Sequence, residues 1–229
     1  MNVLVACEES QRVCMAFRER GHNAFSCDIQ ECSGGHPEWH IKGDVLPLLN
    51  GNCAFTTSGG VSEMIFGPWD LIIAHPPCTY LSNAGACRMY RWFNGKRWID
   101  SDRYDQMREG RAFFMKMLSA DCEHIAVENP LPLKICDMPE PTQTVQPYEY
   151  GDPFSKRTLL WLKGLPALKP TNILENHTTW IASNTSNYAK GKGGSRGVAK
   201  SRRERSRTFS GIAEAMADQW GNIETEGTS

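Results

Sequence analysis

The chain has 229 residues, which suits one domain of ordinary size and gives enough length to bury a hydrophobic core. Hydrophobic residues make up 40% and charged residues 22% of it, and these values exclude wholesale disorder and a fibrous repeat. No stretch approaches the roughly 18 consecutive apolar residues of a membrane span, and the N-terminus lacks the features of a signal peptide. We therefore expect a single domain that acts in the cytoplasm and does not bind membranes.

The formal net charge of −1 conceals a marked asymmetry. Residues 189–208 hold eight Lys or Arg and only one acidic residue, so this segment carries +7 and the remainder carries −8. Residues 164–208 as a whole are rich in Pro, Asn, Ser and Gly and show no periodicity, which predicts a small basic loop region. Such a segment can neutralise phosphates without reading bases, although a solvated loop has the same composition.

Nine cysteines are many for this length, but their number is odd and no CxxC pair occurs. In a chain without an export signal this pattern indicates reduced thiols. Cys27, Cys32, His36 and His40 are crowded in one region, yet their spacing matches no familiar zinc finger. We predict no metal site.

The first third of the chain shows the alternation of strand and helix that is typical of an α/β fold. The run VLVAC predicts a strand, and the amphipathic helix after it ends at Gly21. HNAFSCDI predicts a second strand ending at Asp28, and HIKGDVLPLL a third element with Asp44 in the turn at its end. The apolar run WDLIIAH predicts a buried central strand that stops at Pro76 and Pro77.

The remaining elements continue the same alternation. Residues 104–120 have apolar side chains at helical spacing, and HIAVENP then predicts another buried strand. RTLLWLKG reads as a strand in a hairpin with the preceding QPYEYG, and GIAEAMADQWG as a closing helix. The predicted fold is α/β: a doubly wound, mostly parallel sheet with an antiparallel edge hairpin, in which ligands bind at the carboxyl ends of the strands.

Cys78 directly follows the central strand and two prolines. The prolines fix the backbone, so the thiol is held at the rim of the sheet, where a nucleophile has to be placed rigidly. A cysteine in a loop is by itself more often inert packing. Its neighbours decide between the two interpretations.

Glu128 ends the next apolar strand and is carried to the same rim of the sheet. We expect desolvation to raise its pKa, so that it can donate or share a proton with a ring nitrogen near neutral pH. The alternative is a glutamate at a strand end that caps a helix.

The first loop, CEESQR, lies where doubly wound folds hold a nucleotide-like cofactor. Asp28 ends the second strand, where an acid commonly binds ribose hydroxyls, and Asp44 follows the third strand and could face an adenine amino group. The ordered series of loop, Asp, Asp, PPC and ENP is stronger evidence than any of its members.

These motifs resemble those of the DNA cytosine-5-methyltransferase family, in which a glycine-rich first loop, two acids at strand ends, PPC, ENV and a basic hairpin motif follow in this order. VLVACEESQRVCMAFRERGH resembles the first motif, CDI and GDV the acidic ones, DLIIAHPPCTYLS the PPC motif and AVENP the ENV motif. YGDPFSKRTLLWL resembles the basic motif and RTFSGIAEAMADQWG the closing helix. The resemblance implies the Rossmann-like class I methyltransferase fold, with residues 1–229 forming one methyltransferase-like catalytic domain.

The resemblance also implies the roles of individual residues. Cys78 adds to C6 of cytosine, Glu128 contacts N3, and C5 then takes a methyl group whose source is S-adenosylmethionine. Arg157 or Lys156 takes the basic role near the flipped base or the phosphate, and we favour Arg157 for its planar guanidinium. The cofactor-binding residues implied are Cys7, Glu8, Asp28, Ile29, Asp44, Val45 and Pro76.

The partner implied is duplex DNA, from which the target base is flipped. Only residues 164–206 stand where the family has a large target-recognition region, so we expect low sequence specificity. Residues 84–103 correspond to a mobile active-site loop that closes over the substrate. The nucleic-acid-binding residues predicted in these segments and in the basic motif are Arg91, Lys96, Arg97, Lys156, Arg196, Arg202, Arg203 and Arg205.

The chain departs from the family in its first loop, which contains no glycine, in Pro130 after the ENV-like motif, and in SKRT where the family has two arginines. We expect a compact enzyme of the kind that phages encode, acting in the bacterial host cell. Two alternatives stay open: the same chemistry on RNA or a free pyrimidine nucleotide, and a non-catalytic DNA-binding relative. No feature of the sequence indicates an oligomeric state.

Overall fold

A seven-stranded sheet forms the centre of the computed structural model, which describes residues 1–180 and 201–223. Within these residues the strands are β1 (Asn2–Ala6), β2 (Asn23–Asp28), β3 (His40–Lys42), β4 (Cys53–Thr56), β5 (Ser62–Ile65), β6 (Leu71–Ala74), β7 (Tyr90–Phe93), β8 (Lys96–Ile99), β9 (Ile125–Asn129), β10 (Gln143–Val145), β11 (Phe154–Ser155), β12 (Thr158–Lys163) and β13 (Thr178–Thr179). The helices are α1 (Arg12–Glu19), α2 (Ala86–Met89), α3 (Ser101–Leu118), α4 (Arg202–Ser206) and α5 (Ser210–Trp220).

The order of strands in the large sheet is β10-β12-β9-β6-β1-β2-β3. The five strands from β9 to β3 are parallel neighbours, whereas β12 is antiparallel to both β9 and β10. The prediction of a mixed α/β fold with a mostly parallel sheet is therefore confirmed, and an antiparallel pair does form its edge. The chain builds outward from β1 to β3 and then crosses to β6 on the other side of β1.

Both faces of this sheet are buried, because its central strands are mostly apolar. All four residues of β6 are fully buried, as the run WDLIIAH predicts. On one face Phe114 of α3 packs with Ile72, and on the other Phe17 of α1 and Trp220 of α5 pack with Leu71. Burial of each such large apolar side chain stabilises the fold by roughly 1.5–3 kcal/mol.

Some elements differ from their predictions. The partner of β12 is β10, not the segment QPYEYG, in which Pro147–Glu149 forms a 3-10 turn because Pro147 has no backbone N–H for a ladder. Residues 84–103 contain α2 and an antiparallel hairpin of β7 and β8. The described part of the predicted basic loop region contains β13, which pairs with β11, and α4. Among the described residues, no helix is long and apolar enough to cross a membrane.

Candidate active site at the carboxyl ends of the central strands

The first loop keeps a sharp turn although it contains no glycine. Cys7 and Gln11 both have a φ of 60°, a left-handed conformation that glycine adopts most easily. The Gln11 side chain donates to the His36 carbonyl (2.8 Å) and accepts from the His36 N–H (3.1 Å), and the Glu9 carbonyl accepts from the Ser33 N–H (2.7 Å). The loop is thus held closed by the segment that follows β2.

Glu8 points into this loop and not toward solvent. Its two carboxylate oxygens accept from the backbone N–H groups of Val13 (2.7 Å) and Cys14 (3.2 Å), so that it caps the start of α1. Burial raises the pKa of Glu8, against the opposing effects of the His75 charge and of these two hydrogen bonds. We predicted that Glu8 contacts a cofactor. In the structure both of its carboxylate oxygens bind the backbone at the start of α1, so its role is structural.

The two acids at strand ends lie close to Cys7, as their positions in the sequence predict. Burial raises the pKa of the Cys7 thiol, and the charges of Asp28 and Asp44 add to this effect. One oxygen of each carboxylate is used by its own turn, since Asp28 accepts from the Gln30 N–H (2.9 Å) and Asp44 from the Leu46 N–H (3.1 Å). The second oxygen of each remains for another group.

The other predicted cofactor residues have different surroundings. Ile29 is exposed beside Asp28, with 75% of its surface accessible. Val45 is buried in the hydrophobic core. Pro76 lies in the loop after β6, and its carbonyl accepts from the Asn129 side chain (3.0 Å). Four residues of the predicted set therefore lie at one rim of the sheet: Cys7, Asp28, Ile29 and Asp44. Val45 packs in the core and does not line the rim.

The loop that carries Cys78 is joined to the loop that follows Glu128. Ser82 and Pro132 form a β-bridge, the Asn83 N–H donates to the Leu131 carbonyl (2.8 Å), and the Leu133 N–H donates to the Leu81 carbonyl (2.8 Å). The Cys78 carbonyl accepts from the N–H groups of the two residues Leu81 and Ser82, and the residue is partly exposed. The predicted nucleophile is therefore held in an ordered turn at the rim.

Glu128 is buried beside a histidine that the sequence analysis did not single out. Its Oε2 accepts from His75 Nδ1 at 3.1 Å, and the side chains are 12% and 8% exposed. Burial opposes ionisation of Glu128 and is the largest single effect on its pKa, but the His75 hydrogen bond and the Lys156 charge outweigh it. The pKa of Glu128 is thus held below its ordinary value, and the expectation of a raised pKa is wrong.

The basic residue next to Glu128 is Lys156 and not Arg157. Lys156 is half-buried, and its Nζ lies 5.9 Å from the centre of the Phe209 ring. Arg157, the residue that we favoured, is exposed. A narrow cleft opens here between β12 and α5, and its walls are formed by Glu128, Lys156, Thr158, Leu160, Thr208, Phe209, Ile212 and Met216.

The hairpin of β7 and β8 extends from the rim after Cys78 and exposes large apolar side chains. Trp92, Phe93 and Trp98 are 72%, 69% and 58% exposed. Arg97 lies over the Tyr90 ring at 4.3 Å, and Arg91 forms an ion pair with Asp100 at the start of α3. The predicted nucleic-acid residues Arg91, Lys96 and Arg97 are therefore all on this hairpin.

The basic segment is described only in part. Arg196 lies outside the described residues, as do the side chains of Arg202 and Arg203. Arg205 is exposed on α4. Arg207 contacts the first loop through an ion pair with Glu9 (Nε to Oε1, 3.8 Å), and its Nη2 donates to Ser33 Oγ in the segment after β2 at 3.0 Å. No group of His, Cys, Asp and Glu suited to hold a metal ion occurs among the described residues.

No model of a known protein family matches this chain, and no curated protein matches its sequence at a significant level.

Proposed function

We propose that this protein transfers a methyl group from S-adenosylmethionine to C5 of cytosine in DNA, through a covalent adduct at Cys78. The observation that carries the proposal is the junction of two strand-end loops, one with Cys78 and the other following Glu128. A partly exposed thiol and a buried carboxylate at one rim are the nucleophile and the polar partner that addition to a pyrimidine ring requires.

The strand order supports the Rossmann-like class I methyltransferase fold as part of this proposal. The sheet order is β3-β2-β1-β6-β9, so strands are added on one side of β1 up to β3 and on its other side from β6 onward. Doubly wound sheets bind their ligands outside the carboxyl ends of the strands at this switch point. Cys7 follows β1 and Cys78 follows β6, so a cofactor and a reacting base would meet there.

The donor set at the rim fits S-adenosylmethionine in part. Asp28 and Asp44 each have one carboxylate oxygen that its own turn does not use, and these oxygens suit ribose hydroxyls and an adenine amino group. The exposed Ile29 beside them offers an apolar surface for a purine ring. When bound, S-adenosylmethionine would supply an electrophilic methyl group.

On this proposal the Cys78 thiolate forms a bond to C6, and the ring electrons that this addition releases make C5 nucleophilic. N3 takes up the proton that the Cys78 thiol loses, and the ionised Glu128 accepts hydrogen bonds from the cytosine amino group and from this N3–H. Lys156 balances the charge of Glu128 in the cleft. Transfer of the methyl group to C5 would release S-adenosylhomocysteine. Loss of the protons on N3 and C5 to solvent and cleavage of the bond between sulfur and C6 would then restore the ring and the thiolate.

Cross-strand pairs in the hairpin of β7 and β8 support nucleic acid as the partner. Three successive pairs each join one cation to one aromatic ring: Arg91 with Trp98, Trp92 with Arg97, and Phe93 with Lys96. Aromatic rings stack on bases, whereas the cations attract phosphates. Both faces of the hairpin therefore offer the same two kinds of contact.

The experiment that tests the function incubates the purified protein with radiolabelled-methyl S-adenosylmethionine and unmethylated DNA of mixed sequence, followed by nucleoside analysis. Label in 5-methylcytosine is expected with the wild-type protein and is expected to be absent with Cys78→Ala. Parallel reactions contain RNA and free cytidine nucleotides. Label only in RNA or in the nucleotides would show that DNA is not the substrate. No label in any reaction would contradict the proposal.

A further inference from the structure

His75 contacts Glu128, and its charge also acts on a second buried carboxyl, that of Glu8. The backbone N–H of His75 donates to the Ala6 carbonyl (2.9 Å) at the end of β1, and its Nδ1 bonds to Glu128 at the end of β9. The charge of His75 also lowers the pKa of Glu8 against the dominant effect of burial. One imidazole thus contacts the functional carboxylate and interacts with the acid that caps α1 in the first loop.

The hydrogen bond of His75 requires a proton on Nδ1. A carboxylate oxygen with a depressed pKa can only accept, so Nδ1 is the donor. The other nitrogen, Nε2, is buried and has no hydrogen-bond partner among the described residues. A buried unpaired nitrogen costs stability, and an apolar side chain of similar size would avoid this cost. The histidine is therefore better explained by its effect on Glu128 than by packing.

We propose that His75 is a positioning residue for Glu128: it holds Oε2, orients Oε1 toward the reacting base and, through its backbone N–H, ties the carboxylate to the end of β1. This inference rests on the proposed function only for the identity of the base. The charged groups that face His75 come from three elements: Glu8 after β1, Glu128 on β9 and, across Glu128, Lys156 before β12.

The proposal explains why Glu128 is ionised in a cleft with mostly apolar walls. Burial alone would keep the carboxyl protonated, and the hydrogen bond from His75 is the largest effect that opposes burial, ahead of the Lys156 charge. Without the imidazole the carboxyl would titrate at a higher pH and would be able to rotate within the cleft. Both changes would weaken its contact with a base.

The first test measures the titration of Glu128 directly and needs no activity. Protein labelled with [13C]carboxyl-glutamate is titrated by NMR, and the Glu128 resonance is identified by its loss in Glu128→Gln. We expect the midpoint of Glu128 to rise in His75→Leu. We expect it to return most of the way to the wild-type value in His75→Asn, because an Asn amide places an N–H near the position of Nδ1. Equal midpoints in all three proteins would overturn the proposal.

The second test uses the pH profile of methyl transfer with the same variants. In His75→Leu we expect kcat to fall about 10- to 100-fold, as is typical when a partner that orients a functional group is removed, with little change in the KM for DNA. The acid limb of the profile should move to higher pH, and His75→Asn should restore it. His22→Asn is the control and should match the wild type, because His22 follows α1 and packs against the Phe17 ring. A kcat reduced equally in the Leu and Asn variants would overturn the positioning role.

Circular dichroism decides whether His75→Leu is folded. If it is not, His75→Gln takes its place, because the Gln amide lies one bond further from the backbone and is displaced from the Nδ1 position. If no variant and no wild-type protein methylates any substrate, the proposed function fails. The NMR titration then still decides whether His75 controls Glu128.

Discussion

The strand-end loops and the hairpin of β7 and β8 are built in opposite ways. The loops after β1, β6 and β9 are bound to one another by hydrogen bonds, and Glu8, His75 and Glu128 are buried among them. The hairpin packs its two strands against each other and exposes Trp92, Phe93 and Trp98. The only ion pair of its described residues joins Arg91 to Asp100.

This difference indicates a division of labour. Chemistry requires side chains that are fixed to within a fraction of an ångström, and the interlocked loops provide that. Recognition of a large partner requires accessible surface, and several exposed aromatic rings in one small hairpin are unusual unless a partner covers them. Substitutions in the loops should therefore change the reaction or the stability, whereas substitutions in the hairpin should change only binding.

The largest effect is expected from the loops. Cys78→Ala should abolish methyl transfer and covalent trapping on DNA, because the Cys78 thiol forms the bond to C6 in the proposed mechanism. Its thermal melting should match the wild type, since Cys78 is partly exposed and its backbone carbonyl makes the hydrogen bonds of the turn. Cys32→Ala, another partly exposed thiol, is the control and should be fully active. Trapping that survives in Cys78→Ala would remove the mechanism.

The hairpin should give the next largest effect. The double variant Trp92→Ala, Trp98→Ala is expected to weaken DNA binding about 30-fold or more, because stacking on a base is worth about 1–3 kcal/mol for each ring. Fluorescence anisotropy with a labelled oligonucleotide measures this loss. Phe66→Ala is the control, since Phe66 is 79% exposed on a different hairpin.

The double variant of Trp92 and Trp98 also tests whether the hairpin contributes to stability or to catalysis. Trp92 and Trp98 are exposed, so their loss should leave the melting temperature unchanged, and kcat at saturating DNA should also be unchanged. A fall in kcat that saturating DNA does not repair would show that the hairpin also positions the reacting groups. The division of labour would then be wrong.

Glu8→Ala should have a smaller effect than the tryptophan variant, and this effect should be on protein stability and not on DNA binding. The substitution leaves the N–H groups of Val13 and Cys14 without their acceptor at the start of α1, and loss of such a cap costs about 1–2 kcal/mol. Urea denaturation of the variant measures the free energy of unfolding. Glu19→Ala, an exposed residue of the same helix, should be nearly neutral. An unchanged stability in Glu8→Ala would show that burying this carboxyl costs as much as its hydrogen bonds return.

The sequence predicted the central strands and the rim they share because these depend on local patterns. An apolar run followed by Pro76 and Pro77 predicts a buried strand, and this strand ends at Ala74. A similar argument holds for β9, where an apolar start and Pro130 bound the strand. The hairpin had its own signal: Asn94 and Gly95 both have positive φ values, as in the tight turn that an Asn-Gly pair forms between two strands. The prediction of a mobile active-site loop at residues 84–103 did not use this signal.

The contacts within the site could not be predicted in the same way. His75 and Glu128 are 53 residues apart, and only the pairing of β6 with β9 brings them together. The choice between Lys156 and Arg157 depends on the alternation of side chains near the start of β12, where a shift of one residue exchanges the buried and exposed faces. Glu8 turns inward because Gln11, the N-cap residue of α1, does not accept from the first N–H groups of the helix with its side chain. The spacing of residues in the sequence does not reveal that these N–H groups require an acceptor.

The smallest effect is expected from the exposed cations, and it concerns salt dependence. Each phosphate contact contributes a slope of about −0.9 to the logarithm of DNA affinity against the logarithm of salt concentration. Lys96→Gln, Arg97→Gln and Arg205→Gln each replace an exposed cation, so each should reduce the slope by about one and weaken binding to all DNA sequences alike. Glu204 neighbours Arg205 on α4, and Glu204→Gln should leave the slope unchanged or make it steeper. A slope that changes for the hairpin variants but not for Arg205→Gln would confine the DNA-binding surface to the hairpin. Unchanged slopes in all three variants would show that these cations do not contact DNA. The aromatic rings would then remain as the basis of DNA binding.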